Sequence, residues 1–219
     1  MEEISLYDLP DLEINNYEMG VLIKKQLKEK YSQEFLVKCL GERYGTDKFD
    51  ELTAYCSLKE KNHFVFTVKF DMVAEQIIDD DYFIRKNCFE LEESIQNVFK
   101  QNNIESLNKV EVFGKNRIDC QMTIDDFIKA YPETNYLSII IIKDNELNYS
   151  VEKIFETISQ KFNGIHLKTI IYSVDKDDFN IFIEKSKILP SISTTFIEKY
   201  NIKKQYCITI KENRIIRIK

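Results

Sequence analysis

From Asn15 onward, apolar residues recur every three or four positions. Met19, Leu22, Ile23, Leu27 and Tyr31 fall on one side of a helical wheel, with Lys24, Lys25, Lys28 and Lys30 facing water. That spacing predicts an amphipathic helix. The period then drops to two. Phe35, Val37 and Cys39 alternate with Glu34, Leu36 and Lys38, and Leu52, Ala54 and Cys56 alternate with Thr53, Tyr55 and Ser57. A third run, Phe64, Phe66, Val68 and Phe70, alternates with His63, Val65, Thr67 and Lys69. Three strands with one fatty face each predict an antiparallel meander whose other side is open to water. Asp79, Asp80 and Asp81 then read as the acidic first turn of a second helix, where they complement its dipole. Its apolar stripe is Ile84, Cys88, Leu91, Ile95 and Val98, and a short strand from Val110 to Phe113 follows, ending at Gly114.

The pattern changes in the second half. Thr123-Ile124-Asp125-Asp126 resembles a capping box with Asp in place of Glu, opening a short helix that stops before Pro132. Leu137 to Ile142 is nearly continuous aliphatic, as in a strand covered on both faces. A helix with Val151, Ile154, Phe155, Ile158 and Phe162 inward is capped by Ser150 and stopped at Asn163-Gly164. The strand Leu167 to Val174 completes a strand-helix-strand unit with parallel strands. Another helix starts at Asp175 to Asp178 and ends before Pro190, and Tyr206 to Ile210 with Ile215 to Ile218 form a terminal hairpin across Glu212-Asn213. The expected class is therefore α+β: an antiparallel meander packed by helices, then a mixed α/β half containing a βαβ unit. The expected division is an N-terminal α-βββ-α-β subdomain, 1–118, and a C-terminal α/β subdomain, 119–219, closely apposed because no Gly/Ser- or Pro-rich linker separates them.

Composition narrows the function classes. Apolar residues make up 43% and charged residues 31% of the 219, a globular balance, and the net charge of −6 argues against a nucleic-acid partner. The longest apolar run, Tyr136 to Ile142, is too short to cross a bilayer, and the acidic start Met1-Glu2-Glu3 is unlike a signal peptide. Five scattered cysteines fit reduced thiols, so the chain as given is expected in the cytoplasm, or outside it as a lipoprotein if a leader has been removed.

Little catalytic chemistry is in view. Gly41 and Gly45 flank Glu42-Arg43-Tyr44, but a Walker loop needs GxxxxGK[ST], and here Thr46-Asp47 follows. The stretch reads as a hairpin connection. His63 and His166 both fall on the polar phase of their strands, and there is no CxxC or HExxH pattern to hold zinc. Cys39, Cys56 and Cys88 share phase with core residues. Carboxylates at Asp79–Asp81, Asp125–Asp126 and Asp177–Asp178 could hold Mg²⁺ or Ca²⁺, but each group lies where a helix is expected to begin, and capping accounts for it. No cofactor or metal is expected.

One stretch is familiar. "EKYSQEFLVKCLGERYGTD", "TAYCSLKE" and "HFVFTV", with "DDDYFIRK" and "NIKKQYCITI" further on, resemble a group of small Firmicutes proteins. Many of these look like lipoproteins encoded beside LXG-type polymorphic toxins and are taken to act as immunity proteins. The sequence as given does not show their leader and lipobox cysteine, so a cytosolic relative, or a member whose leader has been removed, is expected. The resemblance implies a non-enzymatic protein that neutralises a toxin domain by occlusion. The residues expected to meet the partner are Arg43, Tyr44, Thr53, Tyr55 and Thr67 on the wet face of the meander, bordered by Asp79, Asp80 and Asp81. The competing expectations are a metal-dependent hydrolase or nuclease using Asp79 and Asp81, and a structural subunit of a mobile-element or phage assembly.

Overall fold

The computed structural model describes residues 10–40, 51–113, 122–143, 151–211 and 214–218, which form six helices and nine strands. The chain divides into two compact units, Met1–Asp81 and Tyr82–Lys219.

In the first unit, α1 (Pro10–Tyr31) precedes a four-stranded antiparallel sheet in the order β1 (Phe35–Leu40), β2 (Glu51–Leu58), β3 (Val65–Asp71), β4 (Gln76–Asp80). The helix starts earlier than its apolar spacing shows. Proline suits the first helical turn, where no backbone donor is needed. Ile23 and Leu27, one turn apart, are fully buried, and α1 packs against β1 and β4. Leu52, Ala54, Cys56, Phe66, Val68 and Phe70 are the buried phase of β2 and β3. Tyr31, Phe35, Phe66 and Phe64 form a chain of ring contacts with centroid separations of 5.7 to 6.0 Å. Each such pair adds about 0.5–1.5 kcal/mol beyond area burial. Gly41–Gly45 lies outside the described residues, but the strands on either side of it, β1 and β2, are antiparallel neighbours, as a hairpin connection requires.

The fourth strand is a departure from the sequence pattern. Gln76–Asp80 has no clean alternation, and its aspartates look like a helix start. The turn before it is set by Asp71, whose Oδ1 accepts from the backbone N–H of Val73 and of Ala74, both at 2.9 Å. Glu75 takes a left-handed φ of 51° to re-enter the sheet.

In the second unit, α2 (Tyr82–Gln101), β5 (Ser106–Phe113), α3 (Ile124–Ala130), β6 (Asn135–Lys143), α4 (Val151–Lys161), β7 (His166–Val174), α5 (Lys176–Ser186), α6 (Thr194–Ile197), β8 (Ile202–Lys211) and β9 (Arg214–Ile218) build a five-stranded sheet in sequential order. Only β6 and β7 are parallel, joined through α4 as the βαβ pattern predicts. The isoleucine run of β6 serves two cores. Ile140 and Ile142 face α2, α3 and α4, while Ile139 and Ile141 face α5 and α6. At about 1.5–3 kcal/mol per buried large aliphatic side chain, these four make β6 the anchor of the unit.

Local signals at three helix ends are realised, while Ser150 lies outside the described residues. Thr123 Oγ1 accepts from Asp126 N at 3.2 Å and donates to Asp126 Oδ2 at 2.7 Å. Asp175 caps α5 through Asp178 N at 3.0 Å. Gly164 ends the α4 turn at φ 85°, where a side chain would be strained. The division between units falls at Asp81/Tyr82 instead of 118/119. The reason is that β5 pairs with β6 and α2 packs on β5, so both elements belong to the second sheet. β5 is also longer than its apolar run, Val110 to Phe113, because Ser106, Asn108 and Lys109 are buried despite being polar.

Candidate functional site

The expected partner-binding residues are only partly brought together. Arg43 and Tyr44 lie outside the described residues. Tyr55 pairs with Thr67, and Thr53 with Lys69, so these four share one face of the first sheet. Thr53, Tyr55 and Thr67 are partly buried, and Lys69 is exposed. This side is not wet along its whole length. Ser57 and Val65, the next pair on the same face, are both fully buried. Val65, an aliphatic residue in the polar phase of its strand, is the one sequence sign of that.

The three aspartates precede α2, whose first turn carries no acidic residue. Asp79 and Asp80 belong to β4 and, as successive strand residues, point to different faces. Asp79 lies across from Lys69, with the opposite charge. Asp80 lies across from buried Val68, and its side chain is 2% exposed. Tyr31 Oη donates to Asp80 Oδ1 at 2.6 Å and Lys30 Nζ to Oδ2 at 2.7 Å, tying the end of α1 to β4. Asp81 Oδ1 accepts from Thr67 N at 2.6 Å, and Asp81 N donates to Thr67 O at 3.1 Å, extending the ladder by one residue. Asp79 thus borders the face of Thr53, Tyr55 and Thr67, whereas Asp80 turns to the buried face. Among the described residues no group of three or more His, Cys, Asp or Glu is placed to hold an ion.

The most buried ionic cluster was not anticipated. Arg85, Glu92 and Lys109 are 5%, 4% and 4% exposed. Arg85 Nη2 donates to Glu92 Oε1 at 2.9 Å and Nη1 to Val110 O at 2.6 Å, while Val110 N donates to Glu92 Oε1 at 2.7 Å. One turn on, Gln96 Nε2 donates to Ser106 O at 3.0 Å. Residues 106 and 110 of β5 present their backbone groups away from β6. The polar stripe Arg85-Glu92-Gln96 of α2 therefore stands where a further strand would pair. Asn108 joins beneath, accepting from Ser138 Oγ at 2.7 Å. Burial holds the Lys109 ammonium below its usual range and Arg85 adds to this, whereas Glu92 opposes it. Glu92 Oε1 takes both the Arg85 and the Val110 donor, so the cluster is built to hold an edge.

Two hollows open among the described residues. One of about 770 Å³ in the first unit is bordered by Ser32, Glu34, Leu58, Lys59, Glu60 and Lys61, of mixed sign, and a Lys28 hydrogen bond holds the Glu34 carboxyl below its usual range. The other, about 430 Å³, lies in the second unit among Phe113, Leu137, His166, Lys168, Ile170 and Lys211. The register explains it. Phe113, Asn135 and His166 form one cross-strand row; Glu111, Leu137, Lys168, Thr209 and Ile216 form the next. Both rows are on the α5/α6 side of the sheet, but the core beneath those helices gathers around Ile139, Ile141, Tyr172 and Val174, further along the strands. Phe113 and Ile216 are left 54% and 49% exposed. His166, on the polar phase of its strand, is partly buried and lines this hollow, whereas His63 sits in the turn before β3, exposed. The sequence sign was weak: Phe113, His166 and Lys168 share a phase with core isoleucines, and only helix placement separates covered from uncovered positions.

No family model matches the sequence, and no curated protein matches it. Among solved structures, the crystal structure of a DUF5037 family protein from Ruminococcus gnavus ATCC 29149 is similar, with a TM-score of 0.71 at 14% identity over 90% of this chain and 94% of that one. At that identity the likeness is one of fold, and the fold it shares is the α+β arrangement described above.

Proposed function

We propose that this chain is a protein-binding module that neutralises a partner, a toxin domain, by covering its working surface without turnover. The observation that carries the reading is the uncovered end of the second sheet. Phe113 and Ile216, 54% and 49% exposed, stand on opposite margins of a face whose middle is Leu137 and Ile170. Phe113, Leu137 and Ile170 line one hollow, with Ile216 beyond Lys168 and Thr209; apolar surface edged by polar groups is the usual mark of an interaction site, and an aromatic side chain at its margin supplies an anchor. The toxin identity of the partner comes from the sequence resemblance alone. The first-sheet strip around Tyr55 is a second contact area on the same reading.

Affinity capture from the producing cell, with the full chain as bait, tests this. Wild type is expected to hold one partner in stoichiometric amount, Phe113→Asp with Ile216→Asp to release it, and Tyr55→Ala to weaken it. Absence of a stoichiometric partner, or retention by the double variant with its fold intact by circular dichroism, defeats the reading. Titration with Mg²⁺ or Mn²⁺ separates the hydrolase alternative, because a carboxylate site would bind metal and lose it on Asp79→Ala.

A further inference from the structure

The charges on the uncovered face are of one predominant sign. Lys168 and Lys211 line the hollow with His166, and Arg214 lies across from Lys211 on β9. Lys168, Lys211 and Arg214 are exposed. Among the described residues of the two rows, Glu111 is the single carboxylate, and it lies at the β5 margin, across from Leu137. The chain as a whole is acidic at −6, but the excess is not here. Residues 1–81 carry 10 Lys+Arg against 18 Asp+Glu, while 82–219 carry 21 against 19. A cationic apolar face on an acidic protein selects against basic partners and attracts acidic ones.

We infer that this face takes an acidic, extended segment of a protein partner, an apolar side chain of that segment seated between Phe113 and Leu137 and its carboxylates on Lys168 and Lys211. This deepens the protein-binding reading and rests on it. Two features favour an extended segment. The hollow is an open trough on a sheet, too shallow to enclose a small molecule, because Phe113 and both lysines remain exposed at its rim. Its volume, about 430 Å³, holds only a few residues. The expected polarity is therefore the reverse of an acidic rim steering a basic partner.

The test uses three fluorescein-labelled probe peptides and the full chain, read by fluorescence anisotropy. The probes are acetyl-Glu-Leu-Glu-Phe-Glu-Leu-amide and its counterparts with Ser or Lys in place of Glu. The acidic peptide should bind at least about tenfold more tightly than the Ser peptide, and the difference should shrink when salt rises from about 50 to about 300 mM. Lys168→Glu with Lys211→Glu should remove that preference while leaving the thermal unfolding midpoint unchanged, since both side chains are exposed. Failure of the acidic peptide to bind, equal binding of the Ser peptide, tighter binding of the Lys peptide, or an undiminished preference in the double variant overturns the inference. If the cellular partner is still captured through Phe113 and Ile216 while these results fail, the polarity is wrong and the protein-binding reading stands. If capture fails too, both fall.

Discussion

Arg85 and Glu92, two turns apart on α2, grip the same residue of β5: the guanidinium bonds the Val110 carbonyl and the carboxylate takes the Val110 amide, while the two side chains bond each other at 2.9 Å. The pair thus completes both backbone hydrogen bonds that a neighbouring strand would make at that residue. The first unit repeats the device with a neutral side chain. Gln26 of α1 accepts from Ile77 N at 2.8 Å and donates to Glu75 O at 2.7 Å, serving the edge of β4. In each unit the leading helix carries a polar stripe that shields one edge of its sheet from pairing with another chain.

Breaking the buried pair should be costly. Arg85→Ala leaves Glu92 charged, buried and short of a donor, and should destabilise the second unit by about 3–5 kcal/mol. Glu92→Gln should cost less, because an amide oxygen still accepts from Val110 N. Urea unfolding at neutral pH measures both.

Gln26→Ala should remove two backbone partners in a partly exposed setting, at about 1–2 kcal/mol. The specific readout is hydrogen exchange. The Ile77 amide should lose protection, while Val68 in the middle of the sheet should not.

Lys109 gives a pH signature. Its folded-state pKa lies below the unfolded value, chiefly through burial, so the unfolded chain binds the proton more tightly. The group therefore costs stability at neutral pH, and that cost is relieved as pH rises from the depressed value towards about 10.4. Lys109→Met should stabilise by about 1 kcal/mol at pH 7, since burial outweighs the attraction of Glu92. The gain should shrink at alkaline pH, as urea titrations at both pH values would show.

Tyr136 is 2% exposed, and its hydroxyl is without a hydrogen-bond partner among the described residues. Burial pushes its ionisation well above the usual phenol range. Tyr136→Phe removes an unsatisfied polar atom and keeps the ring against Phe127, so it should be neutral or stabilising by up to about 1 kcal/mol. A loss of more than that in thermal unfolding would mean that the hydroxyl is satisfied after all.

Periodicity alone determined the α+β class, the meander, the βαβ unit, the terminal hairpin and the caps at Thr123 and Asp175. Each depends on contacts within a few residues, or on a face that must leave water whatever covers it. Tertiary structure decided the rest. The aspartates at 79 to 81 became strand and connector because Lys30, Tyr31 and the Thr67 backbone, distant in sequence, receive them. Polar Asn108 could be buried in β5 because α2 brings the Glu92 carbonyl to its side-chain amide. The uncovered face around Lys168 is decided by where α5 and α6 stop, which no strand's own alternation encodes.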